Sequence, residues 1–302
     1  MTYLWQKPEW PSFSWNSSAV LELLVSARFE QGRLLSLGSS FVHSFEISEI
    51  KNPLYLDMIS PESGPLMKER LAGWQASLFP TGYAGVKKIR VAEVRTKDLS
   101  RSSLPPKNLD EELKKYLHWW TEPPVELDPV MRSALAFFWF VLISPFEAGN
   151  FELACATAEL ALQENEKSVT RLYDISQQLA ENRSEILLNI EKSASASGDI
   201  TDWMQQYLRH YTAATRAAFT IADKNQRSEK FWKTYSAFDL NSRQRKILNL
   251  LLEEDRPITN REYVDICATS RESAKRDLAE LVKFGILNTG EKRGRSASYS
   301  LP

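Results

Sequence analysis

The residues between Phe138 and Cys155 are the ones whose types and spacing bear most directly on chemistry. An apolar helical run, Phe138-Trp139-Phe140-Val141-Leu142-Ile143, is halted by Ser144-Pro145 and turns through Ala148-Gly149-Asn150. It is followed at once by a second helical pattern from Phe151 to about Gln163. The backbone N–H groups in the first turn of such a helix have no partner inside it and carry partial positive charge. A loop folded over that turn suits an anion, above all a phosphate. Glu152, however, falls in that same turn, where its carboxylate answers the positive helix end and competes with the anion.

The stretch Ser144-Pro145-Phe146-Glu147-Ala148-Gly149-Asn150-Phe151-Glu152-Leu153-Ala154-Cys155 resembles a decayed copy of the Fic family signature, H-P-F-x-[DE]-G-N-G-R-x-x-R. The resemblance extends to Leu78-Phe79-Pro80-Thr81-Gly82, to the Pro- and Trp-rich N-terminus and to the C-terminal module, which are similar to those of one bacterial subfamily. Members of this family usually transfer a nucleoside monophosphate, most often AMP from ATP, to a target hydroxyl. Pro145, Phe146, Gly149 and Asn150 match the positions that shape the loop. Ser144 stands where the family has its proton-accepting His, and a serine is no general base near neutral pH. Ala148 replaces the carboxylate that holds Mg²⁺. Phe151 replaces a glycine whose missing side chain admits the phosphate. Glu152 and Cys155 stand in place of two phosphate-binding arginines. Unit charges about 4 Å apart interact by roughly 4 kcal/mol near a protein surface, so the reversal at Glu152 weighs heavily. The resemblance therefore implies a pseudoenzyme site, with an altered nucleotide site as the alternative; Glu147 reads as a solvated loop carboxylate.

Composition narrows the setting. The chain has 302 residues, 38 Lys and Arg against 39 Asp and Glu, and a net charge of −1. This length and composition allow two or three domains with a sizeable core. Near-zero net charge gives no whole-protein argument for nucleic acid or membrane. No run of about 18 apolar residues is present and the N-terminus lacks a signal segment, so a soluble, cytoplasmic protein is expected. Cys155 and Cys267 are too few for a disulfide framework or a zinc site and read as buried free thiols.

The elements that must position the loop follow in chain order. Trp5, Pro8, Trp10, Pro11, Phe13 and Trp15 form an aromatic strap too irregular for a helix, expected to pack across the main domain. Asn16-Ser17-Ser18 then caps a helix. Ser40 to Ile50 reads as helical and resembles the family's inhibitory helix, [ST]-x-x-x-E-[GN]. Ser44 matches, whereas Ser48 takes the Glu place and Glu49 the Gly place. Helices are expected over Leu66 to Leu78, Leu109 to Trp120, from Val130 behind an Asp128-Pro129 cap, over Val169 to Lys192, and from Thr201. Lys88-Ile89-Arg90-Val91 opens a period-two stretch reaching Arg95, which resembles the flap hairpin that clamps a target peptide in Fic proteins.

From Leu240 the texture changes to helices over Ser242 to Glu254, Thr259 to Ala268 and Ser270 to Phe284. This resembles a winged helix-turn-helix. Arg271, Lys275 and Arg276 fall on the candidate recognition helix, and Lys292, Arg293 and Arg295 on the wing. Glu272, Asp277 and Glu280 interleave on that helix and oppose phosphate binding.

The expectation is thus a mainly α protein: a Fic-like helical core with a small β-hairpin flap, plus a C-terminal winged helix-turn-helix. Its expected divisions are an N-terminal strap and helices with the remnant inhibitory helix (1–60), the Fic-like domain (61–212), a helical linker (213–238) and the winged helix (239–302). No metal site and no cofactor are expected, with ATP and Mg²⁺ implied only if activity survives. Expected partners are a protein at the flap and DNA at the winged helix, with homodimerisation an open alternative and no membrane involvement.

Overall fold

The computed structural model describes residues 3–37, 64–79, 88–90, 104–166, 172–194, 198–290 and 297–302. It divides into two compact units, Met1–Phe219 and Thr220–Pro302.

The first unit is built on two consecutive helices that bury almost all of their surface. In α4 (Pro129–Ile143) every residue from Ser133 to Ile143 is buried, and in α5 (Asn150–Glu166) every residue from Leu153 to Gln163. A helix that is apolar on all sides has no solvent face to present, so neighbours must cover it completely. Asp128 caps α4 by accepting from Val130 N at 2.8 Å, and Pro129 occupies the first turn, where its missing N–H costs nothing. The covering helices are α1 (Ser17–Leu35), α2 (Lys68–Leu78), α3 (Leu109–Thr121), α6 (Ile175–Glu181), α7 (Arg183–Ala194) and the part of α8 (Thr201–Thr234) that precedes Thr220.

Aromatic contacts and buried hydrogen bonds fix their positions. Trp203 of α8 stacks on Phe137 at 5.3 Å and donates to Ala134 O at 3.0 Å. Ser133 donates to Ala158 O at 2.6 Å, tying α4 to α5. The N-terminal strap lies over the core, with Phe13 edge-on to Phe138 at 5.5 Å. It is anchored by Ser14 N donating to Gly198 O at 3.0 Å and Ile200 N donating to Ser14 O at 2.8 Å.

One expected helix is divided. The periodicity over Val169 to Lys192 predicts a single helix, but Asp174 caps a new start by accepting from Gln177 N at 2.9 Å. Asn182 then interrupts at φ −108°, ψ 19°, with its side-chain amide donating to Gln178 O at 2.8 Å. Short Asx side chains that compete for backbone groups make such breaks without disturbing the apolar period.

The second unit gathers α9 (Ser242–Glu254), α10 (Asn260–Cys267) and α11 (Arg271–Lys283) beside a three-stranded antiparallel sheet. Its strands, β1 (Ile258–Thr259), β2 (Asn288–Thr289) and β3 (Ser298–Ser300), lie in the order β1-β3-β2. Tyr299 is the common partner of Ile258 and Thr289. Asn241 with Gln244 and Thr259 with Glu262 form capping boxes, and Ser270 caps α11 by accepting from Ser273 N at 3.1 Å. The core of this unit centres on Ile247, Leu248, Tyr263, Leu278, Leu281 and Ile286.

Candidate functional site: the loop between the two central helices

α4 ends because the residue before a proline is driven out of helical geometry, and Ser144 precedes Pro145. Ser144 adopts φ 42°, ψ 62°, a left-handed conformation, with its N–H still bonded to Phe140 O at 2.9 Å. It is fully buried, and its hydroxyl donates back to Val141 O at 2.5 Å.

The last carbonyls of α4 have no donors within the helix and must find them elsewhere. Arg90 supplies them. Its Nε donates to Ser144 O at 2.7 Å, its Nη2 to Ile143 O at 3.3 Å and also to Leu104 O, and its backbone N–H to Pro145 O at 2.9 Å. A cation at the negative end of the helix dipole is favoured on electrostatic grounds as well. Arg90, counted with the flap in sequence, is 2% exposed and binds the loop from within.

Asn150 closes the loop. Its Oδ1 accepts from Phe146 N at 3.0 Å and its Nδ2 donates to Phe146 O at 2.7 Å, so one buried amide satisfies both backbone groups of that residue. Gly149 sits at φ 83°, a backbone conformation that favours glycine, and a Cβ there would also crowd Leu78 Cδ1 at 2.9 Å and Phe79 Cε2 at 3.3 Å. Pro145 and Phe146 are buried, and Glu147 and Ala148 half-buried.

Phe151, Glu152 and Cys155 all find their surroundings within the chain. Phe151 is 1% exposed and meets Phe137 edge-on at 5.4 Å, with the Arg183 guanidinium 4.4 Å from its ring centre. Glu152 pairs with that same arginine at 2.6 Å. Burial, with the Glu152 carboxylate as the next contributor, pushes the Cys155 thiol well above its ordinary value and keeps it a neutral core residue. Among the described residues no group of three or more His, Cys, Asp or Glu is placed to hold a metal.

Lys88 is exposed and Ile89 half-buried. Val91, the inhibitory-helix positions Ser44, Ser48 and Glu49, and the wing residues Lys292, Arg293 and Arg295 lie outside the described residues. In the second unit Arg271, Lys275 and Arg276 are all exposed on α11, and none makes an ion pair among the described residues. Asp277, which the sequence sets among them, is 4% exposed and turned inward. It accepts from Arg243 at 2.8 Å, Tyr263 at 2.9 Å and Asn241 at 3.1 Å. Sequence reading missed the roles of Arg90, Arg183 and Asp277. Only for Asp277 was there a signal, since helical spacing sets it on the same side as Ala274 and Leu281, both buried.

Residues 3–60 match the family model described as a domain of unknown function, DUF4172. No curated protein matches this sequence. The crystal structure of a Fic family protein from Desulfovibrio desulfuricans G20 matches over 97% of this chain and 98% of its own, with a TM-score of 0.55 and 11% identity. Fic-1 from C. elegans overlaps 72% of this chain and 68% of its own, with 16% identity and a TM-score of 0.45. The chain thus has the fold of a Fic family protein.

Proposed function

We propose that this chain is a Fic-family protein that has lost nucleotide transfer and acts by binding. The observation that carries this reading is the inward use of the loop's polar groups. The Ser144 hydroxyl donates to Val141 O, Phe151 is buried against Phe137, and Glu152 pairs with Arg183. A magnesium-bound triphosphate needs a carboxylate at Ala148, open volume at Phe151 and a cation at Glu152, and the residues present fit none of these needs. A shape-forming loop is thus kept without its chemistry. The test is incorporation of labelled nucleotide from ATP and Mg²⁺ into the chain or a cell extract. No label above a heat-inactivated control is expected, and incorporation by the native chain would overturn the proposal.

A second reading concerns DNA. The three helices and the antiparallel sheet of the second unit support its reading as a winged helix-turn-helix, and the exposed Arg271, Lys275 and Arg276 form a cationic face free of ion pairs among the described residues. With Asp277 turned inward, that face is less acidic than the sequence implied. Binding of labelled duplex DNA that weakens as salt rises supports it; the absence of salt-dependent binding at low ionic strength would refute it.

A further inference from the structure

On the first unit, an aromatic groove of about 750 Å³ opens between the strap, α3, the connection that follows it and α4. Trp15, Trp119 and Trp139 line it, with Phe13, Pro11 and Pro124. Trp119 meets Trp139 at 5.6 Å and Phe13 meets Trp139 at 5.8 Å, so the floor is one continuous aromatic surface. That floor is held from below. Trp10 donates to Glu112 at 2.6 Å, and Tyr116 packs edge-on against Trp139 at 5.5 Å.

Exposed charge at the groove points to a ligand. The Trp139 indole N–H beneath the floor is buried and has no acceptor among the described residues. On the lining stand Glu122 and Glu126, exposed and without an ion pair among the described residues. Lys115 and His118 share the lining, and Lys115 is paired with Glu112 at 2.8 Å.

We propose that this groove binds an extended, proline-containing peptide segment bearing a flanking arginine or lysine. A polyproline II segment makes no internal hydrogen bonds and presents flat rings and free carbonyls in a low-entropy conformation. Its rings stack on Trp15 and Trp119, and the basic side chain meets Glu122 and Glu126. Aromatic grooves recognise such segments in this way on unrelated folds. The site is independent of nucleotide chemistry at the loop.

The test uses the full chain against immobilised twelve-residue peptides with a Pro-x-x-Pro core and arginine at either flank. Matched series carry glutamate for arginine, or alanine for proline. Retention on the basic proline series is expected, with fluorescence anisotropy showing at least about tenfold weaker binding for Glu122→Lys with Glu126→Lys, and for Trp119→Ala. The charge-reversed variant alters only exposed carboxylates, so its melting should match the parent and its loss of binding is not a loss of fold. No retention on the basic series, equal retention on the acidic one, or indifference to charge reversal would overturn the proposal. So would a dimer in sedimentation that disperses on Trp119→Ala, since the groove would then hold a second copy.

Discussion

The loop at the α4–α5 junction and the outer face of α11 use polar residues in opposite ways. In the loop, the Ser144 hydroxyl, the Asn150 amide and the Arg90 guanidinium all bond to nearby backbone, and Glu152 to Arg183. On α11, Arg271, Lys275 and Arg276 reach solvent with no ion pair among the described residues, and the one buried carboxylate of that helix is turned away from them. A site kept as scaffold has its hydrogen bonds closed within the fold, whereas a site kept for a ligand leaves charge unanswered. On that contrast, substitutions in the loop should register as stability and substitutions on α11 as binding.

The largest stability loss should come from Phe151→Ala. Truncating a fully buried phenylalanine costs about 3–5 kcal/mol, read as a lower denaturant midpoint for the first unit. A loss below about 1 kcal/mol would mean that the ring is readily displaced, as a nucleotide site would require. Asn150→Ala comes next, since it strands the buried N–H and C=O of Phe146 and should cost about 2–4 kcal/mol by the same measurement.

Acid should act on the second unit through Asp277. Burial raises its carboxyl, but the bonds from Arg243, Tyr263 and Asn241 outweigh this and hold it below the ordinary 3.8. A carboxyl depressed in the folded state contributes stability that is present above its unfolded value and lost as pH falls through the folded one. The second unit should therefore weaken below about pH 3.8, and Asp277→Asn should flatten that part of its pH–stability profile. An unchanged profile in the variant would assign the acid sensitivity to other groups.

The smallest stability effect belongs to Arg271→Glu with Lys275→Glu, expected within about 0.5 kcal/mol of the parent because exposed sites away from packing are tolerant. The same variant should bind duplex DNA more weakly and lower the log–log salt slope by about 2, at roughly 0.9 for each phosphate no longer neutralised. A destabilised variant, or one with unchanged DNA affinity, would erase the distinction between the two regions.

These differences were unequally legible in sequence. The central helices were plain because an apolar run broken by Ser144-Pro145 and resumed after Gly149-Asn150 permits little else, and Asp128-Pro129 marked the start of α4. The helical runs Ser242 to Glu254, Thr259 to Ala268 and Ser270 to Phe284 likewise marked α9 to α11. The split at Asn182 was hidden because its neighbours keep the helical apolar period on both sides of the break. At the loop, the departures from the Fic signature were plain as residue types. The partners of those residues were not: Arg90 lies 54 positions before Ser144 and Arg183 lies 31 after Glu152, and no local pattern signals contacts that distant. Asp277 read as one more solvated acid because interleaved charge looks alike whether it faces water or a buried arginine. The aromatic strap was visible as composition, but a groove requires knowing which rings it meets on α3 and α4.

The most direct measurement is the melting temperature of the chain with and without about 1 mM ATP and excess Mg²⁺. A site with a dissociation constant near 10 µM would add roughly 2.7 kcal/mol and raise the melting point by several degrees. With Phe151 seated and Glu152 paired to Arg183, no shift beyond about 1 °C is expected. A rise of several degrees, abolished by removing Mg²⁺, would show that the loop still holds nucleotide and would contradict its reading as a closed scaffold.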